Sequence, residues 1–234
     1  MTAAKFFGKA NGEAAVCLND AAGLLRKKVM NKKFQATLVV LVVLVGIILG
    51  VRKANVWLNP PQQRASDAAK IKGNPQAAIK IVEYTDFQCP ACGHAEKDMA
   101  TLWKNHEGAL FLEYRPFPLT ARHQNAFRAA MYAECAARQN KFWPFHDLLF
   151  EQQSLWGEKT DAEGDFKAAA AQTGLNLEEL AVCLKDPSTT KAVVKGQDQG
   201  DNKGVRATPT FFVNGEMVVG GKKLMEKLNG LLTK

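Results

Sequence analysis

Two cysteines separated by two residues carry the clearest chemistry in this chain, in Phe87-Gln88-Cys89-Pro90-Ala91-Cys92. A Cys-x-x-Cys at a strand-to-helix junction lowers the pKa of its first thiol, so that a thiolate is available for disulfide exchange. Far downstream, Ala207-Thr208-Pro209-Thr210-Phe211-Phe212 places a Thr-Pro step just before an apolar strand. A structural disulfide or half of a zinc site would use the same two cysteines. Zinc takes four ligands, however. The sequence holds no second Cys-x-x-Cys, and His94 and His106 complete no standard pattern. The pair is read as redox-active, with no metal and no cofactor expected.

These residues need elements to hold them. Ile79–Tyr84 alternates as a strand, Gly93–Asn105 is helical, and Leu110–Arg115 is a second strand ended by Pro116 and Pro118. Strand, helix and strand make a right-handed parallel unit. Cys89 then falls at the helix N-cap, where orphan N–H groups and the helix dipole favour a negative sulfur. Pro90 falls at the first helical position, where its missing N–H costs nothing. A helical block follows, with apolar spacing near 3.6 in Ala121–Gln139, Pro144–Gln153, Ala162–Thr173, Leu177–Lys185 and Ser188–Asn202. Asp161 and Asn176 are read as caps, Asn140 and Gly174 as stops. Thr210–Val213 and Glu216–Val219 flank Asn214-Gly215, a strong hairpin signal. Lys222–Leu232 closes the chain as a helix.

With the helical block removed, a small α/β unit remains, with two parallel strands and an antiparallel hairpin on one sheet. The chain resembles the DsbA-type disulfide oxidoreductases of the thioredoxin superfamily, in a membrane-anchored form. The likeness spans about Gln76–Lys234. It rests on Glu83–Cys92, on the helical insertion with Cys135 and Cys183, and on Gly204–Gly215. It implies an α/β fold, a thioredoxin fold with an inserted helical domain at about 119–203, preceded by one N-terminal transmembrane helix.

The resemblance also implies roles. Cys89 is the nucleophile and Cys92 the more buried resolving thiol. Pro209 is cis and faces the pair, and Thr208 offers its backbone to an extended substrate peptide; a proline opening an edge strand is the plainer alternative. Glu83 lies beneath the pair as a possible proton relay for Cys92; a strand-end charge reaching water is the alternative. Asp86 is read as a turn residue. Outside the cytoplasm four cysteines make an even set, and related proteins with a second pair support a Cys135–Cys183 disulfide; two buried free thiols would be the other outcome. His123, His146 and the Phe142-Trp143-Pro144-Phe145 run are read as packing.

Charge is divided sharply. Met1–Pro75 carries 12 Lys+Arg against 3 Asp+Glu, and Gln76–Lys234 carries 19 against 20. The folded part is nearly neutral, which gives no footing for nucleic-acid binding. The basic front brackets an apolar run, Ala36–Val51, extended to eighteen residues by Phe34 and Gln35. Eighteen residues sit at the short end of a membrane span. Arg26, Lys27, Lys28, Lys32 and Lys33 precede the run and only Arg52 and Lys53 follow it closely, which orients the amino terminus to the cytoplasm. The run exceeds a signal-peptide core, and Arg52-Lys53 stands where a cleavage site would fall, so an uncleaved anchor is expected rather than a cleaved signal. Met30-Asn31-Lys32-Lys33 directly before it has the look of a translation start, which would leave Met1–Val29 outside the native protein.

The expected organisation is a cytoplasmic tail at 1–33, an anchor at 34–56, a linker at 57–75 and the thioredoxin-type domain at 76–234. The expected protein sits in a bacterial inner membrane with its catalytic domain on the periplasmic side. There it oxidises cysteine pairs in exported polypeptides and is reoxidised by a membrane redox partner. The alternatives are an isomerase or reductase of the same fold, or a Cys-x-x-Cys metal chaperone.

Overall fold

The computed structural model describes residues 34–51 and 61–233. They fall in two units, divided between Asn59 and Pro60. In the first, Phe34–Val51 is one continuous helix, α1, with every side chain exposed. Its 18 residues span about 27 Å at 1.5 Å each. It is long and apolar enough to cross a membrane, and its apolar residues run round the whole circumference, as a lipid-facing helix requires. The expected tail at 1–33 and the end of the expected anchor at 52–56 lie outside the described residues.

The second unit is built on a mixed five-stranded sheet. Its strands are β1 (Ile71–Gly73), β2 (Ile79–Thr85), β3 (Leu110–Pro116), β4 (Thr210–Val213) and β5 (Glu216–Val219), in the order β1-β3-β2-β4-β5. β2 runs parallel to β3 and antiparallel to β4; β1 and β5 are antiparallel edges. The helices are α2 (Pro61–Ala69), α3 (Pro90–His106), α4 (Ala126–Arg138), α5 (Phe142–Glu151), α6 (Gln153–Trp156), α7 (Glu163–Gln172), α8 (Leu177–Cys183), α9 (Pro187–Asn202) and α10 (Gly221–Leu232).

Period-2 alternation sorts the sheet faces. Ile79, Ile81, Leu110, Leu112, Phe211 and Val213 pack with Ala95, Met99 and Leu102 of α3 and Leu224 and Leu228 of α10. Glu83 and Thr85 continue the same face of β2. Tyr84 points to the opposite face, against Phe117 and Val205. There α9 approaches through Gly196 and Gly200. A Cβ on Gly196 would meet Pro116 at 2.5 Å, and one on Gly200 would meet Phe117 at 2.6 Å. The inserted helices carry their own core, in which Phe87, Tyr132, Phe142, Phe145, Trp156 and Phe166 are buried together.

One expected boundary needs correction. The stretch read as linker up to Pro75 is folded from Pro61: it forms α2 and then β1, which pairs with β3. Its polar composition concealed a buried polar dock. Glu134 of α4 is buried, receives Lys70 at 2.7 Å and Gln63 at 3.2 Å, and accepts a hydrogen bond from the Ser66 hydroxyl. A second difference is that 120–125 is turn rather than the first turn of a helix. The Asn125 N–H donates to Gln88 Oε1 at 2.7 Å and its side-chain amide to Lys159 O at 2.7 Å, which holds that segment as a loop. The Asn176 cap forms, its side chain accepting from the N–H groups of Glu178 and Glu179. Asn140 and Gly174 end their helices at φ 56° and 72°.

Candidate active site

Strand β2 ends at Thr85 and the chain turns through Asp86 into α3. Asp86 Oδ1 accepts the Gln88 N–H at 2.8 Å, and its carbonyl accepts the Cys89 N–H at 3.1 Å. Its other carboxyl oxygen accepts the Leu119 N–H at 2.9 Å and meets His123 Nδ1 at 2.7 Å. The turn residue thus also ties the motif to the start of the insertion. Cys89 is the N-cap of α3, with extended φ/ψ of −73° and 119°, and Pro90 opens the first turn. Gln153 of α6 donates its side-chain amide to the carbonyls of Phe87 at 2.7 Å and Cys89 at 2.9 Å. Gly93, one turn into α3, leaves room for it, since a Cβ there would lie 2.5 Å from Gln153 Oε1.

Among the described residues Cys89 and Cys92 are the free cysteines. Cys89 is 8% exposed and Cys92 is fully buried. The hydrogen bond from the Cys92 thiol, above all, lowers the Cys89 pKa to about 5; burial works against it, and Thr208 and the backbone amides of Cys92 and Ala91 reinforce it. Burial pushes the Cys92 thiol well above its ordinary value, and its bond to Cys89 and the nearby Cys89 charge add to this. Across the site, Cys89 Sγ lies 3.6 Å from the Thr208 carbonyl, and the Thr208–Pro209 peptide is cis. Thr210 holds that loop by donating its hydroxyl to Ala207 O at 2.7 Å, and Gly220 N–H donates to Pro209 O at 2.9 Å.

Glu83, on β2 six residues before Cys89, has no exposed surface. In register it stands between Tyr114 of β3 and Phe211 of β4, so no strand end delivers it to water. Burial raises its pKa; the neighbouring Glu96 and Thr85 side chains and the charge of Lys72 oppose this. Glu96 is one turn beyond Cys92 on α3. Burial first, then the charge of Glu83, drive its pKa well up, against the pull of His146 and Lys72. Two carboxyls packed together in a dry site cannot both ionise easily, so the pair holds a proton in reserve. The sequence reading did not single out Glu96. Its i+4 spacing from Cys92, which puts both on one helix face, was the available signal. Nothing in the sequence pointed to Gln153.

Cys89, Cys92, Thr208, Pro209 and Glu83 thus come together at one end of the sheet. Cys135 and Cys183 do not join them: they are bonded to each other between α4 and α8, with Cα atoms 5.9 Å apart. His123 pairs with Asp86, and His146 is buried among aromatic rings.

The family profile described as thioredoxin matches residues 66–234, beginning inside α2. The chain belongs to the thioredoxin family. Its domain is a thioredoxin fold with helices inserted between β3 and β4. The Na(+)/H(+) antiporter NhaA 3 of Salinispora tropica is 36% identical over 149 residues, which is 64% of this chain and 22% of that protein. The chain spans about a quarter of the length of the curated relatives it matches. A thioredoxin-like oxidoreductase from Silicibacter pomeroyi DSS-3 is 25% identical with a TM-score of 0.58, over 70% of this chain and 92% of that one. The α-DsbA1 of Wolbachia pipientis is 23% identical with a TM-score of 0.62, over 70% and 89%. At that identity it shares the thioredoxin-family fold with this chain.

Proposed function

We propose that this chain is a thiol–disulfide oxidoreductase that oxidises cysteine pairs in exported polypeptides through a Cys89–Cys92 disulfide, tethered to a bacterial inner membrane by α1. The observation that carries the proposal is the placing of two free thiols, Cys89 at the N-cap of α3 and 3.6 Å from the carbonyl that precedes cis Pro209, and Cys92 fully buried one turn on, an arrangement that draws the first down to about 5 and pushes the second well up. A substrate thiolate attacks Cys89 Sγ, the Cys89–Cys92 bond breaks, and Cys92 leaves with the electron pair and takes a proton. A second substrate thiolate then attacks the substrate sulfur of the mixed disulfide, and Cys89 leaves as a thiolate. A low-pKa thiol leaves faster, and ionisation of Cys89 stabilises the reduced pair, which shifts the equilibrium towards the oxidised substrate.

Two electrons have then entered the Cys89–Cys92 pair. A membrane redox partner accepts them by the reverse exchange and restores the disulfide. Thr208 and Pro209 are suited to receive the substrate backbone, since the Thr208 carbonyl already stands beside Cys89 Sγ. The metal-chaperone alternative is disfavoured on physical grounds. It needs both sulfurs as thiolates, and Cys92 is fully buried with its pKa raised.

Equilibration of the pair with glutathione tests the reading. An oxidase should show a potential above roughly −180 mV; a value at or below roughly −240 mV would make the chain a reductase. A peptide-oxidation assay with Cys89→Ser should show no turnover.

A further inference from the structure

The two residues inside the redox motif, Pro90 and Ala91, carry no charge. Any cation that favours the Cys89 thiolate has to come from outside the motif. The turn that leads into it holds one. Asp86 to Cys89 is a β-turn, closed by the Cys89 N–H donating to Asp86 O at 3.1 Å. Such a turn keeps its first and last α-carbons within about 7 Å. The Asp86 side chain has no exposed surface. A carboxylate sealed in this way needs hydrogen bonds or a counter-charge. Asp86 has both: Oδ1 accepts the Gln88 N–H, and Oδ2 accepts the Leu119 N–H and meets His123 Nδ1 at 2.7 Å. Among the described residues His123 is the one ion-pair partner of Asp86.

His123 lies in the loop that opens the insertion, and its backbone is pinned on both sides. Its N–H donates to Leu119 O at 2.9 Å, and its carbonyl accepts the Ala126 N–H at 3.2 Å. Gln124 and Asn125 follow, each donating a side-chain amide to Lys159 O. The His123 side chain is 19% exposed. With Nδ1 turned to the carboxylate, Nε2 is the nitrogen that gains or loses a proton. The bond to Asp86 holds in both states, because a carboxylate oxygen only accepts and Nδ1 must donate to it. Titration therefore changes the charge beside the turn without undoing the contact.

The other cations around this loop have carboxylates of their own. Lys159 pairs with Asp165 at 2.7 Å, Arg128 with Glu163 at 2.7 Å and Arg206 with Asp201 at 3.1 Å. Arg122 is exposed and makes no ion pair with Asp86. On the inner side the turn meets Tyr114 of β3, whose ring lies 5.6 Å from that of Phe87. Helix α9 reaches the loop through Gln197, which donates to Pro118 O at 2.9 Å, and brings Asp198 beside it.

We infer that His123 is a positioning residue for Cys89: through Asp86 it holds the turn that carries the thiolate, and when protonated it supplies the cation that the motif lacks. The inference rests on the thiol–disulfide exchange proposed for Cys89–Cys92. Two glutathione thiols reduce the pair and leave as glutathione disulfide, giving it two electrons. One of their protons ends on Cys92. The other is released, because Cys89 stays a thiolate above pH about 5. A positive imidazole near that thiolate favours the reduced pair and so makes the disulfide a stronger oxidant. Histidine changes charge between pH 5 and 8. His123 should therefore add most to the oxidising power at the acid end of that range.

The test equilibrates the full chain in detergent, carrying Cys17→Ser, with reduced and oxidised glutathione from pH 5.5 to 8. Acid quenching, alkylation and mass spectrometry read the state of Cys89–Cys92. His123→Asn keeps an N–H for Asp86 and loses the charge; His123→Lys keeps a charge throughout. At pH 5.5 the wild-type constant for oxidising glutathione should exceed that of His123→Asn by roughly threefold or more. The two should converge at pH 8, where His123→Lys should exceed wild type. A wild-type to His123→Asn ratio that does not change with pH overturns the inference, since a purely structural contact lowers the constant equally at every pH. Equal constants at pH 5.5 overturn it as well. If His123→Asn does not fold, a His123→Lys constant no greater than wild type at pH 8 decides against it. Failure of the wild-type pair to exchange with glutathione at any pH would instead sink the proposed function.

Discussion

Gln153 donates its side-chain amide to the carbonyl of Cys89 at 2.9 Å, so a residue of the inserted helices holds the first turn of the redox motif. The same amide reaches Phe87 O, and Gln88 Nε2 returns a bond to Gly157 O at 2.7 Å. The insertion therefore braces the Cys89 turn.

Gln153→Ala removes two hydrogen bonds to main-chain acceptors that are otherwise enclosed. It should cost about 1–3 kcal/mol by urea unfolding and slow oxidation of a model dithiol peptide. Gly93→Ala should act on the same contact, because its methyl would meet Gln153 Oε1. The two substitutions should therefore be less than additive. Full additivity would show that the two do not share a contact.

Thiolate absorbance of the reduced domain should rise with a midpoint of about 5. Cys92→Ala removes the donor that contributes most to that value, so the midpoint should climb toward the ordinary thiol range. In Cys89→Ala the remaining Cys92 should stay protonated through pH 9, since burial dominates its shift. A Cys89 midpoint unmoved by Cys92→Ala would assign the low value to the helix terminus instead.

Stability should depend on redox state and pH together. Between pH 5 and 9 folded Cys89 is ionised while the unfolded thiol, with its ordinary 9.0, still holds its proton. The unfolded state binds more protons, so the contribution grows as pH rises and is lost as pH falls through about 5. The raised carboxyls Glu83 and Glu96 act in the other direction, but they are present in both redox states and largely cancel in the comparison. The unfolding free energy of the reduced protein, relative to the oxidised one, should increase from pH 5 to 8. A flat or falling difference by guanidinium titration would contradict the thiolate assignment.

Lys70→Ala should destabilise the domain by about 3 kcal/mol, because it takes from buried Glu134 its nearest cation and leaves only Arg138, at 3.9 Å. Lys70→Ala with Glu134→Met should recover much of that loss. A surface-sized effect, under about 1 kcal/mol by denaturant unfolding, would return 61–73 to the status of a linker.

The sequence by itself determined the local features. Cys89, Pro90 and Cys92 stand at a helix start because of the strand before them and the periodicity after them. Asn214-Gly215 made the hairpin, and the unbroken run of Val and Leu made α1. These are short-range properties, written in neighbouring side chains and backbone preferences. The tertiary structure alone decided what depends on distant residues meeting. Polar 61–73 is folded because Glu134, some seventy residues away, needs Lys70, Ser66 and Gln63 beside it. Glu96 and His146 become one cluster only when the insertion is laid against α3. Gln153 becomes a brace for Cys89 only when a four-residue helix is placed beside it. Burial and low local dielectric, which give these groups their altered proton affinities, arise from packing and have no signature in any single stretch of sequence.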